Sequence, residues 1–267
     1  MWVQGMNNLF TLVRQALAST DVDEKILLVR MAAVGLADSS LTLADFGEAV
    51  PAVAPGRPER PHLVRGAKVP KRGFGTVQGR AIMMHAICHI EFNAINLALD
   101  AVQRFSAMPE DFYRDWMQVA QEEAYHFELV RAHLRHLGFE YGDFDAHDGL
   151  WEMCEKTAHD VLHRMALVPR VLEARGLDVT PGIQVKLAQA GDHNAVSLLD
   201  IILRDEIGHV AIGNRWFRFC CEQRGVEPEA TFFALLEQHY PKGLFGPFNL
   251  EAREQAGFSK SELDRLL

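Results

Sequence analysis

The chain has 267 residues, 48% of them hydrophobic and 24% charged, enough to bury a sizeable core in one or two domains. A net charge of −9 makes the molecule as a whole a poor binder of polyanions. Cys88, Cys154, Cys220 and Cys221 have no C-x-x-C spacing, which argues against a disulfide framework and for a reducing compartment.

The first residues, "MWVQGMNNLFTLVRQAL", lack the basic, apolar and small-residue regions of a secretory signal. No stretch approaches the roughly 18 uncharged apolar residues of a membrane span. A cytoplasmic globular protein with no membrane partner is expected. Residues 7–38 read as two short helices. Asn7 or Asn8 caps the first and Asp21 or Asp23 the second, with Leu9, Leu12, Val13, Leu17 and then Ile26, Leu27, Val29, Ala33 at helical spacing.

The stretch "PAVAPGRPERPHLVRGAKVPKRGFG", residues 51–75, holds five prolines and six Arg or Lys against one Glu. It cannot be a helix, and it is expected to wrap as an extended arm across the body. From residue 79 the pattern is helical. Helices are expected over 79–106, over 110–138 behind Pro109, and over 150–175. "GLDVTPG" then interrupts the pattern, and a further helix covers 192–224. Tail helices follow near 228–239 and 259–267, and alternation with period two is nowhere convincing.

The fold class is therefore all-α. Residues 79–224 are expected to form a four-helix bundle. The helices and basic Pro-rich arm of 1–78 pack on it, and the helices of 225–267 follow it.

Two of these helices carry Glu-x-x-His: Glu123 and His126 in "EEAYHF", Glu206 and His209 in "RDEIGHVAIGNRW". Residues three apart leave one face of a helix, so both side chains can reach one ion. Such pairs also arise by chance, and their setting has to support them. Glu91 interrupts the apolar stripe Met84, Ile87, Cys88, Ala94, Ile95, Ala98 and Val102. Glu123 interrupts Trp116, Val119, Ala120, Phe127, Val130 and Leu134. A buried carboxylate takes up a proton or finds a cation.

Register adds to this. The first two long helices meet at a turn near Met108, and Glu91 precedes that turn by nearly the same length of chain as Glu123 follows it. A second turn falls near Gly191. Glu206 follows it, and Glu173 stands at a similar remove on its other side. Residues equidistant from the turn of an antiparallel hairpin share a height. The chain thus offers two hairpins, each with a Glu on its first helix and a Glu-x-x-His on its second, the donor inventory of di-iron carboxylate bundles. Pro169 and "GLDVTPG" require a kink or break beside Glu173, with Glu155 or His159 as substitutes for it. The return path between residues 138 and 160 requires part of 148–160 to be a crossing helix. Asp205 is placed to accept the outer ring N–H of a ligating histidine and fix its tautomer. His85, His89, Cys88 and Tyr125 read as packing or structural residues.

The set Glu91, Glu123, His126, Glu173, Glu206 and His209 resembles that of the ferritin-like superfamily. More closely, "EEAYHFELVRAHL…GFEYGDFDAHDGLW", "RMALVPRVLEARGLDVTPGI" and "LRDEIGHVAIGNRWF" resemble the bacterial ferritin-like family known as domain of unknown function 455, over almost the whole chain. The resemblance implies a ferritin-like fold and a dinuclear metal site, and it implies no substrate. A looser likeness, through ligand pattern alone, is to the ferritin-like tRNA hydroxylase.

Carboxylate-rich donors with one imidazole per metal suit two iron or manganese ions. Two such ions bridged by Glu123 and Glu206 would reduce O₂ and oxidise a small-molecule substrate, with electrons from an unidentified donor. The expected function is an O₂-dependent, hydroxylase-like oxidoreductase. Iron handling by ferroxidation or peroxide scavenging is a second reading, and a non-catalytic ferritin-like binding module is a third. The basic arm from Arg57 to Arg72 leaves tRNA open as a substrate, against the acidic balance of the whole chain. A homodimer is the default assembly.

Overall fold

The computed structural model describes residues 8–43 and 52–267. The expected cap at Asn7 and the first residue of the arm, Pro51, lie outside them. Every regular element among the described residues is helical. The two pairings of strand type, Asn8 with Thr42 and Leu63 with Ala146, are isolated bridges. The chain divides into two compact units, Met1–Gly149 and Leu150–Leu267.

In the first unit α1 (Leu9–Ala18) and α2 (Val22–Ala37) begin where the sequence offers side-chain acceptors. Asn8 accepts from the Thr11 N–H at 3.2 Å and Asp21 from the Glu24 N–H at 2.9 Å, each satisfying an otherwise orphaned helix donor. The unit's centre is the antiparallel pair α3 (Val77–Arg104) and α4 (Glu110–His136), with α1 packed on α3 and α2 on α4. Lys25 of α2 is fully buried, and its ammonium donates to the carbonyls of Ala16 and Leu17 at 2.8 Å each. Burial, then the charge of Arg57, pulls its pKa down to about 7. Helix α3 is long and apolar enough to cross a membrane, but most of it is buried inside the protein.

The arm is extended apart from one 3₁₀ turn, Gly66–Lys68. Its backbone is pinned to the unit. Gln103 of α3 clasps Val53 through both its N–H and its carbonyl, at 3.1 and 2.9 Å. The Gly56 N–H reaches the Leu17 carbonyl at 2.7 Å, so close that a β-carbon on residue 56 would stand 2.1 Å from the Ala18 oxygen.

The second unit opens with α5 (Gly149–Lys156), a turn, and then one helical run made of α6 (Val161–Leu167), a π-helical segment (Val168–Glu173) and α7 (Ala174–Gln189). The turn at Gly191 leads to α8 (His193–Arg224). It is followed by α9 (Pro228–His239), α10 (Leu250–Gln255) and α11 (Lys260–Asp264).

Here the expected helix over 150–175 is corrected at both ends. It starts later, because Thr157 Oγ1 bonds back to the Met153 carbonyl at 2.8 Å and buried Arg164 bonds to the Cys154 carbonyl at 2.6 Å. These bonds finish α5, and Asp160 then caps α6. The run also ends later, because "GLDVTPG" does not interrupt it. Proline at 181 removes the N–H that would bond to the Leu177 carbonyl, and the Asn249 side chain donates to that carbonyl instead, at 3.2 Å. α10 is a further helix that the hydrophobic pattern does not reveal.

Two further arginines, Arg170 and Arg253, are buried in the core of this unit. The Arg170 guanidinium lies 4.3, 3.9 and 4.9 Å from the ring centres of Phe217, Phe232 and Phe258 and pairs with Glu262. Arg253 grips Asp178 with Nε at 2.9 Å and Nη2 at 2.7 Å.

Candidate metal centre

Within the first unit, α3 and α4 bring Glu91, Glu123 and His126 together. Glu91 is 3% exposed and the other two are fully buried. One donor atom from each falls within 4.8 Å of the others. His126 Nδ1 stands 3.4 Å from Glu123 Oε2 and 3.6 Å from Glu91 Oε2. Glu91 Oε2 is shielded from water and makes no hydrogen bond. Two carboxylates and an imidazole confined in apolar surroundings form a group that could hold a metal ion, and a cation would satisfy the Glu91 oxygen that the protein leaves bare.

The electrostatics fit the same conclusion. Burial, then the charge of Glu123, pushes the Glu91 carboxyl well above the ordinary range. Burial alone would lower the pKa of His126, but its hydrogen bond with Glu123 and the charges of Glu123 and Glu91 outweigh it and carry it up to about 11. Without metal the group therefore holds protons at neutral pH that a cation must expel. Fe(II) or Mn(II) binding at pH 7 is expected to release protons and to tighten as pH rises. Calorimetry in buffers of different ionisation enthalpy measures the release, and a pH-independent affinity would contradict this protonation state.

In the second unit Glu206 and His209 occupy successive turns of α8, with Glu206 Oε2 3.8 Å from His209 Nδ1. His209 is fully buried, and the Glu206 side chain is 12% exposed. Glu173 is the last residue of the π-helical segment and is buried. The register of α8 on this segment is set by Gly213. A β-carbon there would lie 2.3 Å from Pro169 Cβ and 2.4 Å from Pro169 Cγ, so glycine lets the two helices approach. Glu173 stands one turn beyond Pro169, and His209 one turn before Gly213. Antiparallel packing puts them at one height. Asp205 is ion-paired with its neighbour Arg204 at 2.8 Å.

The histidines read as structural are held by the protein. His85 Nε2 accepts from the Gly142 N–H at 2.9 Å. His89 joins the Tyr141 hydroxyl at 2.9 Å and the Asn93 amide at 3.0 Å. Since an amide Nδ2 can only donate, His89 Nε2 is the acceptor and Nδ1 carries the proton. Burial lowers the pKa of His85 to about 4 and of His89 to about 3, so both are neutral. Cys88 is buried, and burial and the charge of Glu91 raise its pKa. Tyr125 is 46% exposed. Glu155 accepts from Trp151 Nε1 at 3.1 Å, and the His159 ring meets that of His163. The partnership of His89 with Tyr141 escapes sequence reasoning because Tyr141 sits in a loop without periodicity.

An all-helical chain with a buried carboxylate–imidazole group defines the class of protein. A family model described as protein of unknown function (DUF455) matches residues 18–264, and the chain belongs to that family. A protein of Haemophilus influenzae, described as uncharacterized, is 53% identical over 233 residues, covering 84% of this chain and 81% of its own length. No solved structure matches.

Proposed function

We propose that the protein is a ferritin-like dinuclear iron or manganese carboxylate protein of the cytoplasm, working as an O₂-dependent oxidoreductase on a small molecule. The observation that carries this reading is the buried group Glu91, Glu123 and His126. Its donor types recur in the second unit as Glu173, Glu206 and His209. On this reading Glu91, Glu123 and His126 serve one ion, and Glu173, Glu206 and His209 serve another. The π-helical segment ending at Glu173 supports the assignment, since local π turns are frequent at functional sites.

When bound, the metal pair would supply the redox electrons and Lewis acidity that O₂ chemistry needs. The chain's own residues do the rest. Glu91 and His126 give up protons to become ligands beside Glu123. Apolar neighbours such as Trp116, Val119 and Phe127 exclude water from them.

Metal analysis tests the proposal, using protein from iron- and manganese-supplemented cells beside Glu123→Ala and Glu206→Ala. About two ions per chain, lost in both variants, is the expected result. A folded wild-type protein with no bound iron or manganese would remove the redox reading. Rapid O₂ consumption with Fe(II) and no organic substrate would favour iron handling instead.

A further inference from the structure

We propose that His159, His163 and His239 form a second metal site, for a borderline divalent ion such as zinc. The three residues belong to the second unit, and none of them is among the six donors of the proposed carboxylate centre. His163 lies in the first turn of α6, His159 in the turn just before that helix, and His239 ends α9, which packs on α6.

The imidazole rings of His159 and His163 have centroids 5.0 Å apart, and those of His163 and His239 are 6.5 Å apart. Imidazoles sharing a tetrahedral ion at about 2.0–2.1 Å have ring centres about 5 Å apart. The first pair already meets that spacing. The second requires His239, at the very end of its helix, to swing inward by about 1 Å.

Two ring nitrogens carry the argument. His163 Nδ1 and His239 Nε2 are both shielded from water, and neither makes a hydrogen bond. Bare buried nitrogens on neighbouring rings are costly for the fold, and an ion accepting both lone pairs removes that cost. The nearby carboxylate does not compete for the site. Asp160 is held by Arg224 through two bonds of 2.8 Å and caps α6 through the Leu162 N–H at 2.7 Å.

An all-nitrogen donor set selects zinc, copper or nickel over magnesium or calcium, and differs in kind from the carboxylate-rich group of the first unit. The His163 ring is held in the neutral form that binds metal. Burial lowers the pKa of His163, and the charges of His159, His239 and Arg224 push the same way against Asp160. His159 is exposed, which gives the ion a path in and leaves a coordination position open to solvent. Once bound, the ion would tie the end of α9 to the start of α6.

The test uses full-length, tag-free protein dialysed against micromolar zinc and analysed for metal, with cobalt(II) as a visible-absorption probe. In Glu123→Ala, where the carboxylate-rich centre is disabled, one zinc equivalent and a tetrahedral cobalt spectrum are expected. Affinity is expected to fall more than about ten-fold in His163→Ala and in His239→Gln. Should His163→Ala fail to fold, His239→Gln at the helix end and His159→Ala in the exposed turn read the same site. Zinc binding unchanged by these substitutions, or no binding at micromolar metal, would overturn the proposal. Neither result depends on iron or on O₂ chemistry.

Discussion

Asp178→Ala is expected to cost the second unit about 3–5 kcal/mol, the largest loss from any single side chain outside its apolar core. The Asp178 carboxylate is fully buried and receives Arg253 Nε and Nη2 together with the Asn249 N–H at 2.9 Å. Arg253 is 1% exposed, with its guanidinium 5.4 and 5.2 Å from the Phe248 and Phe258 rings. Removing the acid strands a cation where water cannot reach it, and the aromatic faces return only a part of the lost stabilisation. Replacing both partners, as in Asp178→Leu with Arg253→Met, should recover most of the loss, because no buried charge then remains. Urea unfolding of the wild type and the two variants measures this. A single-mutant loss below about 1 kcal/mol would mean that Arg253 finds water or another acid.

The second large effect belongs to Gly213→Val. Even one carbon at this position falls 2.3 Å from Pro169 Cβ, far inside van der Waals contact, and a branched side chain cannot turn away from it. Helix α8 must separate from the π-helical segment, at a cost of about 1–3 kcal/mol or more. On the proposed function the separation also pulls the backbone of Glu173 away from that of His209, so bound metal should fall together with the melting temperature. Gly213→Ala should be milder, and Pro169→Ala should restore part of what it loses, since the two sites share one contact. Strict additivity of these two substitutions, read by thermal melts, would show that Gly213 serves something other than the approach of Pro169.

The helices of the first unit were legible because their signals are local. Period, caps at Asn8 and Asp21, and Pro109 before α4 set their limits closely. The interruption of apolar stripes at Glu91 and Glu123 singled out residues that the fold does bring beside His126. The second unit was less readable because its decisive contacts are remote. "GLDVTPG" has the composition of a helix break, and only the Asn249 amide overrides it. The end of α5 depends on Arg164, which lies in the next helix beyond the carbonyl it binds. Arg170 and Arg253 look like surface residues until four phenylalanines and two acids, one on the tail and one on α7, surround them. The histidine group was hidden for the same reason, since the rings of His163 and His239 meet although three helices' worth of chain separates them.

The hydrogen bond from Asn249 to the Leu177 carbonyl also orders events in time. As the chain leaves the ribosome, residues 161–189 emerge well before residue 249, and until then the carbonyl left bare by Pro181 has only water to bond with. The middle of this helical run is thus completed by a segment made much later, after a delay of several seconds at roughly 5–20 residues per second. A nascent chain halted before Asn249 is expected to leave the Leu177 carbonyl to water until the tail emerges.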